Sequence, residues 1–293
     1  MNQTRMETEP DVLTSASAGV IVERRMQCLP TAGDRARVAL LKLSDHVNAK
    51  YRGLISAHPF ERRAGERNML HWFVSLSSLE SHDLWNGLPD TDQRWQEIVA
   101  AQAPADGLDS PRLDHLFTAG GIYDTILIPQ SFGMYGTAEE SIRSVVQIDG
   151  EPVERFAVPT AADQATQVHP LDTANAGLIM HRTGQFTYAN RGEGRAFARG
   201  LAESWNRTLD GIATIYLYEE AFDQSDRIHW LIHLRDIATY YNLMGFRARV
   251  DPAARDLFTK QWVSPERGGG GWEALFVESS LIDLALAPLR RPA

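Results

Sequence analysis

Apolar and polar positions alternate most strictly in two short stretches. In "LHWFVSL" (70–76), Leu70, Trp72, Val74 and Leu76 are apolar, and His71, Phe73 and Ser75 fall between them. In "IHWLIHL" (228–234), Ile228, Trp230, Ile232 and Leu234 alternate with His229, Leu231 and His233. Period two places alternate side chains on opposite faces of a strand, so both stretches are expected to be strands with one uniformly apolar face. Around the first, the pattern predicts a strand over 19–29, a helix over 33–53 ending at Gly53, a strand over 54–63, a second helix from the serines at 77–78, and a fourth strand over 120–132. Around the second, it predicts strands over 177–187, 211–220 and 227–234, helices over 192–210 and from 235, and a last strand over 272–281 after "GGGG".

The two stretches are copies. Residue 229 minus residue 71 gives an offset of 158, and the register holds without a gap: Arg37 on Arg195, Asn48 on Asn206, Gly53 on Gly211, Glu61 on Glu219. "AGVIVERR" (18–25) falls on "AGLIMHRT" (176–183). Two long units indicate a duplicated domain rather than a solenoid. Each unit reads βαββαβ, the ferredoxin-like split βαβ order. The expected organisation is a disordered tail over 1–17, a first unit over 18–132, a polar linker over 133–175, a second unit over 176–285 and a short tail over 286–293.

Composition narrows the partners. The formal net charge of -9 disfavours nucleic acid, which needs a basic surface. No apolar run reaches membrane-spanning length and the N-terminus lacks an apolar leader stretch, so a cytoplasmic protein is expected. Cys28 is the single cysteine, which rules out an intrachain disulfide and a thiolate cluster.

Strand-then-helix texture such as "HWFVSLSSLESHDLW", carried by both units, resembles the dimeric α/β-barrel (ABM-like) superfamily, in which two ferredoxin-like units pair their sheets. The fold expected from this is α+β: two fused units whose antiparallel sheets pair into one intrachain α/β barrel. The third strands aim Trp72 and Trp230 at the helices, and His71, Phe73, His229 and His233 at the barrel interior. Parity on the other strands adds Glu23, Arg25 and Gln27, then His58, His181 and Gln185, then Tyr216, Tyr218 and Glu220 to the inward set. Buried polar groups need partners, so such an interior is a wired network or a ligand pocket.

The resemblance implies an enzyme of specialised metabolism. It would act on a bulky hydrophobic, aromatic or polyketide-like molecule by oxygenation or by histidine-driven cyclisation, as a monooxygenase or cyclase that in some relatives needs no cofactor. On that basis His229, His233 and His71 are the candidate catalytic bases. Tyr216, Tyr218, His58, Gln27, Gln185 and Phe73 are candidate substrate contacts. Three alternatives stay open: a divalent metal on His229, His233, His181 and Glu23; a haem on one histidine, for which no local motif is present; and a non-catalytic protein that binds a hydrophobic metabolite. A homodimer formed through outer strands is also open. Ser75 stands in the place of His233 and Glu23 in that of His181, so one off-centre site is expected rather than two equivalent ones.

Overall fold

A computed structural model describes residues 12–102, 112–130, 160–222, 224, 226–241 and 252–290, with the backbone of 143–148 and 151–156. The first unit contains β1 (Val20–Cys28), α1 (Gly33–Lys50), β2 (Ile55–Arg62), β3 (Met69–Leu76), α2 (Ser81–Thr91), α3 (Gln93–Ala100) and β4 (Phe117–Pro129). A hairpin of β5 (Arg143–Ile148) and β6 (Glu151–Phe156) follows. The second unit contains β7 (Leu178–Gln185), α4 (Arg191–Thr208), β8 (Ala213–Glu220), β9 (Arg227–Leu234), α5 (Pro252–Thr259) and β10 (Ile282–Pro288).

Eight strands close one barrel in the order β1-β3-β2-β10-β7-β9-β8-β4. Each unit contributes four contiguous strands, and the seams are antiparallel pairs of β10 with β2 and of β4 with β8. Closure gives every barrel strand two neighbours, with each seam three residue pairs long. The α+β barrel expected from the sequence is therefore the fold observed.

The matched residues of the two halves do the same work. Asn48 exchanges two hydrogen bonds with the backbone of Ala57 at the start of β2 (3.1 and 2.6 Å), and Asn206 does so with Ile215 at the start of β8 (2.9 and 2.7 Å). Arg37 pairs with Glu61 at 3.2 Å and Arg195 with Glu219 at 2.7 Å, tying each long helix to its following strand. Gly53 and Gly211 both turn the chain at positive φ (72° and 65°), where a side chain would be strained. Arg24 bridges Asp124 and Arg182 bridges Asp283, each through two hydrogen bonds.

The helix-facing side of each half sheet forms its own core. Trp72 packs edge-on to Trp85 at 5.0 Å and stacks on Trp95 at 5.8 Å, and Trp230 lies among Phe197, Trp205 and Phe276. Both tryptophans are thus helix-packing residues, as the alternation predicts. The N-terminus of α3 is capped by Asp92, which accepts from Trp95 N–H at 2.9 Å.

Four sequence expectations need correction. The fourth strand of the first unit is Phe117–Pro129, not 120–132. In the second unit, Trp272–Leu275 is a single 3-10 turn and the strand is Ile282–Pro288. The apolar residues of that turn serve the helix-side aromatic core, where Phe276 lies 5.2 Å from Phe186. The alternation that makes the strand is in "IDLALAP", so the second unit runs past residue 285. The interval 133–175 contains a β-hairpin rather than linker alone. Residues 12–17 of the expected tail are seated in the barrel end, with Ser15 wholly buried; residues 1–11 and 291–293 lie outside the described residues.

Candidate functional site: a histidine–carboxylate chain at the barrel mouth

The inward face follows from register. Across β1 and β3, Glu23 lies opposite Phe73 and Arg25 opposite His71. Across β7 and β9, His181 lies opposite Leu231 and Thr183 opposite His229. The middle of the barrel is filled by Phe60, Phe73, Leu231, Ile21 and Leu286. Phe60 and Phe73 meet edge-on at 5.5 Å. Dense packing here separates the two ends of the barrel.

One end is closed. Ser15 and Thr173 exchange reciprocal hydrogen bonds, each backbone N–H donating to the other's hydroxyl at 3.1 Å. His233 Nε2 contacts Ser15 Oγ at 2.9 Å, the Tyr218 hydroxyl donates to the Ser15 carbonyl, and His58 Nε2 donates to the Leu13 carbonyl at 3.0 Å. Tyr216 packs edge-on to His233 at 5.4 Å. Burial pushes the hydroxyl of Tyr218 well above its usual range and lowers the imidazole of His233 to about 4. These residues anchor a plug.

Among the described residues, the other end holds a cavity of about 740 Å³. Its floor is Glu23, His71, His181 and His229, each almost wholly buried. The Glu23 carboxylate Oε1 accepts from His71 Nδ1 at 2.8 Å and faces His181 Nδ1 at 3.2 Å. His181 Nε2 meets His229 Nδ1 at 2.8 Å, and His229 Nε2 meets Glu220 Oε1 at 3.0 Å. Arg227 reaches the same oxygen at 3.2 Å. A single chain of contacts thus runs from His71 to Arg227.

Electrostatics favour ionised ends to this chain. Burial alone would raise the Glu23 carboxyl, but His181 and His71 outweigh it and hold it well below the usual carboxylate range. Burial likewise opposes, and the His229 contact overcomes it, to keep Glu220 low. Burial lowers His229, with Glu220 pulling the other way.

The cavity's charged side chains pair, with one exception. Arg62 reaches Glu66 at 3.0 Å and Arg227 reaches Glu220 at 3.2 Å. Arg25 lines the cavity with no carboxylate partner among the described residues, and its buried Nε has no hydrogen bond. His71 Nε2 is also buried without a partner. Met69, Tyr123, Ile282 and Leu284 add apolar wall.

Of the predicted catalytic histidines, the structure therefore brings His71 and His229 to the cavity and leaves His233 at the closed end. His58, Tyr216 and Tyr218 belong to that end too, and Phe73 is barrel filling. Gln27 donates to the Arg67 carbonyl at 3.0 Å, and the backbone N–H of Gln185 donates to Ser280 at 3.1 Å; neither lines the cavity. The barrel interior is packed, and the cavity lies at its polar mouth. Sequence reasoning aimed Arg25 and Glu220 inward but gave them no role, because nothing in the pattern separates a strand's lining end from its packed middle.

A metal reading must also lose His233. Glu23, His181 and His229 each offer a ligand atom within 4.8 Å of one another. Yet His181 meets Glu23 through Nδ1 and His229 through Nε2, on opposite sides of its ring. Lone pairs on one ion would have to converge; as placed, these contacts form a hydrogen-bonded chain.

Known structures share this fold. A candidate monooxygenase from Fusobacterium nucleatum subsp. nucleatum superposes with a TM-score of 0.56 at 8% identity, covering 94% of each chain. A candidate monooxygenase from Lactobacillus acidophilus NCFM gives 0.52 at 8% identity, over 93% of this chain and 95% of that one. Likeness at such low identity shows the fold alone. No curated protein sequence matches the chain. No helix among the described residues is long and apolar enough to cross a membrane. Matched from residue 1 to residue 293, the chain belongs to the family of unknown function DUF6039.

Proposed function

We propose that this protein is an enzyme that removes a proton from an activated C–H or a phenol of a small, partly aromatic molecule, with His71 as general base and no cofactor. The observation that carries this is the polarity of His71. Its Nδ1–H is held by the Glu23 carboxylate, which leaves the lone pair on Nε2 unpartnered at the cavity floor. A base oriented by a carboxylate on one ring nitrogen, with the other nitrogen unpartnered, is the arrangement that proton abstraction needs. Glu23 stabilises the imidazolium that forms, and Arg25 holds the negative charge left on the substrate.

The enolate or phenolate so formed is the species from which a polyketide-like substrate closes a ring. It is also the species that reduces dioxygen, so oxygenation is the second reading, in keeping with the names of the two fold neighbours. The test is hydrogen–deuterium exchange at the acidic methylene of 2-tetralone in heavy water, followed by proton NMR. The protein should accelerate exchange over buffer, and His71→Gln should return it to the buffer rate. Equal rates for protein and buffer, or for the variant and the native chain, would overturn the reading. Saturable binding of the unchanged probe without exchange would point to a binding protein.

A further inference from the structure

A proton taken at His71 must leave before the next turnover. The chain behind it is built to carry that charge away. Glu23 and Glu220, both held ionised, can only accept hydrogen bonds. Between them lie three contacts: Glu23 to His181 at 3.2 Å, His181 to His229 at 2.8 Å, and His229 to Glu220 at 3.0 Å. Each needs one proton. Two neutral imidazoles supply one N–H each, so two protons occupy three contacts and one contact is left with lone pair facing lone pair. The longest of the three, at Glu23, is the natural place for that gap. A single added proton completes the chain, and a concerted shift delivers an equivalent proton at the far end.

We propose that His181 and His229 form a proton relay that carries the charge of the proton collected at His71 through Glu23 to Glu220, from which a proton leaves to solvent at the rim beside Arg227. The proposal rests on His71 being the base. The step is balanced and redox-neutral. The C–H proton goes to His71 Nε2 and stays on that nitrogen while the Nδ1 proton of the ring passes to Glu23 Oε1; the starting tautomer returns when a proton comes back along the chain to Nδ1 and the Nε2 proton leaves into the cavity. Glu23 passes the proton it receives to His181 Nδ1, His181 Nε2–H passes to His229 Nδ1, and His229 Nε2–H leaves to Glu220. The substrate keeps the electron pair.

The surroundings suit this path. Facing the pair are Glu23 and Arg25 from β1, Arg62 from β2, His71 from β3, Tyr123 from β4, Glu220 from β8 and Arg227 from β9, while β10 presents Ile282 and Leu284. His181 and His229 are sealed from solvent, whereas the Arg227 side chain is one-third exposed, so the outlet lies at the rim. The two imidazole rings lie 5.1 Å apart.

The test needs no substrate. In full-length protein labelled with 15N-histidine, two-bond proton–nitrogen spectra report which ring nitrogens carry protons. At about pH 8, His181 and His229 should each carry one. On acidification within the folded range, a single proton should move the signals of both rings with one shared midpoint. Glu220→Gln, which can itself donate to His229, should separate the two midpoints. Independent midpoints in the native protein would overturn the relay, as would an unchanged shared midpoint in Glu220→Gln.

A kinetic arm reads the same path. In 2-tetralone exchange, His229→Gln should lower kcat by about 100-fold at unchanged KM, because a His71 imidazolium that cannot shed its charge returns the abstracted proton to carbon before the enolate takes a deuteron from solvent. Added imidazole should restore exchange, which a merely structural role for His229 would not allow. If His71→Gln exchanges normally, the base assignment fails and the spectra still decide the relay. If the midpoints are independent, the relay fails and the base assignment stands.

Discussion

Glu23 and His181 occupy equivalent positions in the two halves, 158 residues apart, and their side chains meet 3.2 Å from one another. Their partners are equivalent too: His71 holds Glu23 at 2.8 Å, and His229 holds His181 at 2.8 Å. The site therefore sits on the pseudo-two-fold axis of the duplication, not off to one side as the divergence of Ser75 and His233 implied. In a symmetric pair of identical units this position would set carboxylate against carboxylate or imidazole against imidazole. Fusion into one chain allows one of each, and an acid–base pair results.

Stability should fall as the solution is acidified from pH 6.5. Burial holds His58, His229 and His233 below the usual 6.5, and His233 at about 4. A depressed folded-state pKa means the unfolded chain binds protons first, so the stability present above pH 6.5 is lost as pH drops toward the folded values. For His233 the full loss is about 3 kcal/mol. Glu23 and Glu220, also held low, add a further loss below their usual 4.5. Urea midpoints between pH 7 and pH 4 should show the decline, and His233→Gln should flatten its upper part.

Arg25 should govern affinity for anions without affecting folding. Its guanidinium has no carboxylate to lose among the described residues, so Arg25→Ala leaves no orphaned charge. Calorimetry with 2-naphthoate should show binding to the native chain weakened at least about tenfold in the variant, a change of about 1.4 kcal/mol. Equal affinity for naphthoate and for neutral 2-naphthol would argue against an anion anchor.

The plug should contribute to stability and leave the mouth intact. Ser15→Ala removes the hydroxyl that meets both His233 and Thr173, and Tyr218→Phe removes a buried hydroxyl donor to the Ser15 carbonyl. Each should cost about 1–2 kcal/mol in chemical denaturation. Naphthoate affinity should be unchanged in both.

Purified protein is expected to be colourless and to carry metal at well below stoichiometric levels. An absorption spectrum with a Soret band, or iron or zinc found at one equivalent by elemental analysis, would remove the cofactor-free reading.

The barrel was legible because the duplication supplied each strand twice. The alternation of "LHWFVSL" set which face carried Trp72, and its copy confirmed the parity for Trp230. Arg37, Asn48 and Glu61 were visible only as matched letters; the structure shows that their copies make the same helix–strand ties. The last strand was misplaced because "WEALFV" has the apolar density of a strand, and a pattern of hydrophobicity does not distinguish burial against helices from burial in a sheet. The site was half legible. Parity brought His71, His181, His229 and Glu23 to one interior, but depth along a strand is not encoded in alternation, so His233, at the same face, went to the wrong end. The role of Ser15 was invisible because half of its contacts run through backbone groups, which every residue carries, and its partners Thr173, Tyr218 and His233 lie more than 150 residues away.

The plug also decides how molecules travel. With one end stoppered by residues 12–17 and the middle packed solid, the barrel is, among the described residues, a cup and not a tunnel. Whatever enters must leave through the same door. Product still in the cup blocks the next arrival, so inhibition by product should be competitive with substrate, and a bulky substrate can keep part of itself outside while only its reacting edge reaches the floor.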